Sequence, residues 1–66
     1  MSRGMVASSD YEGLTLEKAR EKALQNGLSP RVVEEDGKSF MLTMELKSYR
    51  VNFRVRDGVV IEAYAG

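Results

Sequence analysis

Residues 49–65 constrain the chain most: Tyr49, Val51, Phe53 and Val55 alternate with Arg50, Asn52, Arg54 and Arg56, and Asp57-Gly58 then separates them from a second apolar run. A period of two sends successive side chains to opposite faces of a strand, so the four apolar residues share one face and the four polar ones the other. Asp-Gly between two such runs signals a two-residue hairpin, because the favoured turn needs positive φ at both central positions. The returning strand is expected over residues 59–65, with Val59, Ile61 and Ala63 on one face. A hairpin with one apolar face must be covered by something.

The cover lies upstream. Thr15 can cap a free backbone N–H, Glu17 suits the positive end of a helix dipole, and Leu16, Ala19, Ala23 and Leu24 recur at helical spacing. These signals predict a helix over about residues 16–26, and its alanines would allow close approach to a sheet. Asn26-Gly27 ends it, since glycine accepts the left-handed conformation beyond the C-cap, and Leu28 can fold back onto the last turn. Pro30 fixes the exit, residues 31–35 read as a short strand centred on Val32 and Val33, and Asp36-Gly37 signals a turn.

With 66 residues there is room for one domain, which at this size buries only about 60% of its unfolded surface. The absence of Cys and His removes disulfides, thiolate zinc sites and the usual neutral-pH proton shuttle, so packing alone must hold the core and no metal or cofactor is expected. Residues 1–10 lack periodicity and are expected as a flexible N-terminal tail before a single domain over residues 11–66. No stretch approaches the roughly 18 apolar residues of a membrane span, and residues 1–10 lack the apolar centre of a signal peptide. A soluble monomer is expected, with no compartment implied.

Ten basic residues balance ten acidic ones, so no overall field draws the chain to nucleic acid or an anionic membrane. Locally, residues 38–56 carry Lys38, Lys47, Arg50, Arg54 and Arg56 against Glu45, a net +4 offset by −4 elsewhere. Tyr49 and Phe53 alternate away from the arginines, which argues against a basic stacking platform. Catalysis is not expected either. There is no His or Cys, no glycine-rich phosphate loop after a strand, and Glu34-Glu35-Asp36 sits at a turn without convergent partners.

Residues 38–48 fit neither strict alternation nor a buried run: Met41 and Leu42 are adjacent, Thr43 is polar, Met44 is apolar, and Glu45 precedes Leu46. They read either as an extra strand of an antiparallel meander or as an exposed loop between two strands. Methionine and leucine in a short chain are most often core residues, and alternating arginines are most often a solvated face.

Thr43-Met44-Glu45, followed by Arg50-Val51-Asn52, resembles the reactive loop and supporting strand of the potato inhibitor I family. The resemblance extends over residues 11–66. Gly13-Leu14-Thr15 with Lys18-Ala19-Arg20 is similar to the family's opening and amphipathic helix, and Arg31-Val32-Val33 falls where its first strand lies. Asn52 replaces the second of the twin arginines of the barley chymotrypsin inhibitor and is closer to the family's microbial elastase-inhibitor relatives.

The resemblance implies an α+β fold: a single helix packed on a small mixed sheet of residues 31–35, 49–56 and 59–65. The first two strands would be parallel, joined by an exposed reactive loop, and the last two would form a C-terminal β-hairpin. Parallel strands need a connection of about a dozen residues or more, and residues 36–48 supply thirteen. The resemblance further implies a serine protease inhibitor whose binding loop is Met41, Leu42, Thr43, Met44, Glu45 and Leu46. Met44-Glu45 would be the scissile bond, with Arg50 and Asn52 as loop support. An uncharged, unbranched Met44 suits the apolar specificity pockets of subtilisin-, chymotrypsin- or elastase-like enzymes rather than a trypsin-like one. The alternative is a protein-interaction module of the same fold without inhibitory activity.

Overall fold

The computed structural model describes residues 6–40, 47 and 49–66. The expected binding loop, residues 41–46, lies outside the described residues, as does most of the stretch that the meander alternative would make a strand.

The helix forms where its caps put it. α1 spans Leu16–Gln25, Thr15 Oγ1 accepts from the Lys18 amide at 3.3 Å, and Glu17 lies in the first turn. At the other end Gly27 has φ +74, its N–H donates to Leu24 O, and the Leu28 N–H donates to Ala23 O at 2.9 Å. This pair of bonds is the Schellman arrangement, and it folds Leu28 back onto the core as expected. Ala19 and Ala23 are fully buried and Leu16 packs beside them, but Leu24 is 64% exposed rather than on their face. A rotation of about 100° per residue carries Leu24 around the helix from Ala23.

α1 packs on a mixed four-stranded sheet of order β2-β1-β3-β4. β1 spans Ser29–Glu35, β2 Lys38–Ser39, β3 Arg50–Arg56 and β4 Val59–Ala65. β1 and β3 are parallel, and β3 and β4 form the C-terminal hairpin. Asp57 and Gly58 have φ +52 and +76, the positive pair that a two-residue hairpin turn demands. The same pattern at Asp36 and Gly37, φ 51 and 82, folds Lys38–Ser39 back onto β1 as a short antiparallel strand, at the start of the stretch that the sequence leaves open between strand and loop. Asp36 Oδ1 accepts from the Asp57 amide at 2.7 Å, tying the two turns together.

Two bulges change the expected faces. Glu62 pairs with Arg54 and Val60 with Val55, leaving Ile61 as the additional residue of β4. Alternation restarts there, so Val60 and Ala63 are buried while Ile61 is 38% exposed, instead of Val59, Ile61 and Ala63 sharing a face. In β1, Val33 is similarly inserted between the partners of Phe53 and Arg54.

The core lies between α1 and the sheet. It comprises Tyr11, Ala19, Ala23, Val51, Phe53, Val55, Val60 and Ala63, with the Tyr11 and Phe53 rings 5.3 Å apart and tilted. Tyr49, expected on this apolar face, instead precedes β3 and is 51% exposed, with Lys47 Nζ over its ring at 5.7 Å.

Within the ten residues expected as a tail, Val6 packs against the core and Ser8–Asp10 form a 3-10 turn. Ser8 Oγ accepts from the Ala63 amide at 3.0 Å and donates to the Glu12 carboxylate. Further on, the Gly13 N–H donates to Val60 O, the Val60 N–H to Leu14 O and the Leu16 N–H to Gly58 O. Residues 8–16 therefore run as a strap along β4, satisfying backbone groups on an otherwise open, apolar strand edge.

Candidate functional site

The topology frames the segment between β2 and β3. Ser29 is registered with Arg50 and Glu35 with Val55, so the chain leaving β1 must return along a strand length of roughly 20 Å before β3 begins. β2 occupies one edge of β1 and β3 the other, so residues 40–49 link opposite edges of one strand. Both ends of that link are fastened to β1. The Phe40 N–H donates to Val33 O at 3.1 Å, and the Ser29 N–H donates to Tyr49 O at 2.7 Å. Pro30 follows Ser29 with no N–H to give. Because Ser29 turns its N–H toward Tyr49, Pro30 turns its ring nitrogen to the opposite edge, where β2 pairs only with Glu34 and Glu35.

Of the two expected support residues, Arg50 opens β3. Its N–H donates to Lys47 O at 3.3 Å and its carbonyl accepts from the Gly66 N–H at 3.2 Å. Asn52 lies two residues on and is 1% exposed, where an outward-facing polar side chain was expected. Burial of an amide requires partners for both of its ends. Asn52 Oδ1 accepts from Arg31 Nε at 2.8 Å, and Nδ2 donates to Gly66 O at 3.3 Å. Arg31 is the residue that sequence reasoning missed. It sits opposite Asn52 on the parallel strand, a juxtaposition visible only once the β1–β3 register is known.

The next row of the same sheet face is ionic. Arg54 Nε donates to Glu34 Oε1 at 2.7 Å and Nη1 donates to Glu62 Oε1 at 2.9 Å, joining β1, β3 and β4. These two hydrogen bonds, that to Glu62 foremost, and the attraction of Glu34 and Glu62 raise the guanidinium pKa further above its already high ordinary value. Arg54 stays cationic at any working pH, and its charge is offset by two neighbouring acids rather than presented as part of an open basic row. Glu34 and Asp36, from the acidic run at the first turn, are thus both engaged in holding strands or turns together.

Met41, Leu42, Thr43, Met44, Glu45 and Leu46 lie outside the described residues, so the described part of the site is its frame. That frame consists of two anchors on β1, Arg50 at the head of β3, and the Arg31–Asn52–Gly66 chain of hydrogen bonds. Among the described residues no helix is long and apolar enough to cross a membrane. Comparison with protein-family models, curated proteins and solved structures gives no match to this chain.

Proposed function

We propose that the chain is a serine protease inhibitor that offers residues 41–46 to subtilisin-, chymotrypsin- or elastase-like enzymes as a substrate-like loop, with Met44-Glu45 as the scissile bond. The resemblance of Thr43-Met44-Glu45 and Arg50-Val51-Asn52 to the potato inhibitor I family supplies the residue roles. The observation that carries the proposal is the double fastening of the segment's flanks to β1, through Phe40 to Val33 and Ser29 to Tyr49.

The chemistry follows from that fastening. In a serine protease the nucleophilic oxygen bonds to the carbonyl carbon of the residue in the specificity pocket, and the amide nitrogen leaves after taking a proton. Here the acyl group would be carried by Met44 and the leaving amine by Glu45. In an ordinary peptide the amine side diffuses away and water finishes the hydrolysis. In this chain the acyl side remains attached through Phe40 and the amine side through Tyr49, both hydrogen-bonded to the same strand. Those anchors would keep the Glu45 nitrogen near the acyl carbon, so that reformation of the peptide bond would compete with water. Holding two reactants in place is worth up to about 7–11 kcal/mol in favourable intramolecular cases, so restraint of even part of that size favours reformation.

Met44 would fill an apolar pocket, Met41 and Leu42 would add apolar contacts on the acyl side, and Leu46 would lie on the leaving-group side, with the peptide bound as an added strand. Arg50, at the head of β3, is positioned in sequence to support Glu45 or Thr43. The test is titration of subtilisin, chymotrypsin, elastase and trypsin, following residual activity and cleavage of the chain. Inhibition of at least one of the first three, with slow cleavage, is expected. Full activity of all four, whether Met44-Glu45 is cut rapidly or ignored, would replace this function with that of a non-inhibitory interaction module.

A further inference from the structure

We propose that Arg31 is a positioning residue for the chain segment entering β3, acting through Asn52 and Gly66. Its effect on a protease rests on the inhibitor reading above, whereas its effect on the segment does not.

Arg31 on β1 is registered with Asn52 on β3, and its Nε–H donates to Asn52 Oδ1 at 2.8 Å. A guanidinium has only donors, so the carbonyl end of the Asn52 amide must face Arg31 and the NH2 end must face away. That orientation delivers Nδ2 to Gly66 O at 3.3 Å. The reversed amide would set donor against donor at Arg31 and acceptor against acceptor at Gly66. At a side chain only 1% exposed, water cannot repair such mismatches cheaply. Arg31 thus selects the single amide orientation that grips Gly66.

The grip continues to the head of the strand. Gly66 donates its N–H to Arg50 O at 3.2 Å, Arg50 donates to Lys47 O at 3.3 Å, and Tyr49 O accepts from Ser29 at 2.7 Å. Arg31, Asn52, Gly66, Arg50 and Lys47 form one continuous hydrogen-bonded path from β1 to the chain just after the proposed scissile bond. Loosening its first member frees the amine side of that bond.

The test compares the full-length chain with Arg31→Ala, Arg31→Lys and Asn52→Asp by amide hydrogen exchange and by mass spectrometry after incubation with catalytic subtilisin. Loss of one charge-assisted bond to Asn52 is expected to speed exchange of the Gly66 amide about tenfold in Arg31→Ala, while the core helix amide of Ala23 is unchanged. Arg31→Lys, which restores a donor, should recover part of the protection. Asn52→Asp keeps the shape and the Arg31 partner but lacks the donor to Gly66, so it should also speed Gly66 exchange.

The equilibrium share of chain cut at Met44-Glu45 should rise about tenfold in Arg31→Ala. Unchanged Gly66 exchange in both Arg31→Ala and Asn52→Asp would overturn the positioning role. Faster exchange with an unchanged cut share would overturn its link to the scissile bond. Faster exchange in a chain whose wild type inhibits no protease would uphold the positioning role and sink the inhibitor reading instead.

Discussion

Replacing Ser8 with Ala removes one oxygen that makes two bonds: it accepts from the Ala63 amide at 3.0 Å and donates to the Glu12 carboxylate. The bond to Glu12 is exposed and contributes little. The bond from Ala63 is partly buried, on a residue that is 3% exposed and belongs to the core. Losing a typical hydrogen bond costs about 0.5–1.5 kcal/mol, and leaving the N–H poorly hydrated adds to that, so about 1–2 kcal/mol is expected for Ser8→Ala. A chain of this size has roughly 3–10 kcal/mol of stability in total, so the loss is readily measured. With a urea slope of about 1 kcal/mol per molar, the unfolding midpoint should fall by about 1–2 M with the slope unchanged. Ser9, next in the same turn but exposed, is the control, and Ser9→Ala should stay within about 0.5 kcal/mol of wild type. Coincident urea curves for the two variants would refute a stabilising role for the Ser8–Ala63 fastening of the strap to β4.

Three other outcomes are expected. Ala19 is fully buried against the sheet, so Ala19→Leu should overpack it and lower stability by about 1–3 kcal/mol in the same urea assay. Gly58 has φ +76 and open space where a Cβ would sit, so Gly58→Ala should cost about 1 kcal/mol from backbone strain alone, read as a lower thermal midpoint. Met44→Lys should shift inhibition toward trypsin in the protease titration, and intact inhibition without that shift would place another residue in the pocket.

The parts of the fold legible in the sequence are those governed by neighbours in the chain. Thr15, Asn26-Gly27 and Asp57-Gly58 each act within a few residues, so the helix ends and the C-terminal hairpin lie where local chemistry puts them. β3 was legible because Val51, Phe53 and Val55 keep their period through to the turn. The bulges at Val33 and Ile61 were not, because an inserted valine or isoleucine has no composition that distinguishes it from a paired one. Long-range polar partners were hidden for a different reason. Arg31 and Asn52 are 21 residues apart and Ser8 and Ala63 are 55 apart, and each pair meets only through the register of the whole sheet. Asn52 was singled out from sequence, but as an outward-facing support rather than as a buried amide with both ends engaged.

The central claim, that a protease grips the chain at Met44-Glu45 without completing hydrolysis, is tested most directly by mass spectrometry of an equimolar mixture with subtilisin over several hours. The account predicts a blocked enzyme and a chain that stays predominantly intact, with any cut confined to Met44-Glu45. Rapid conversion to two fragments with the enzyme fully active would contradict it.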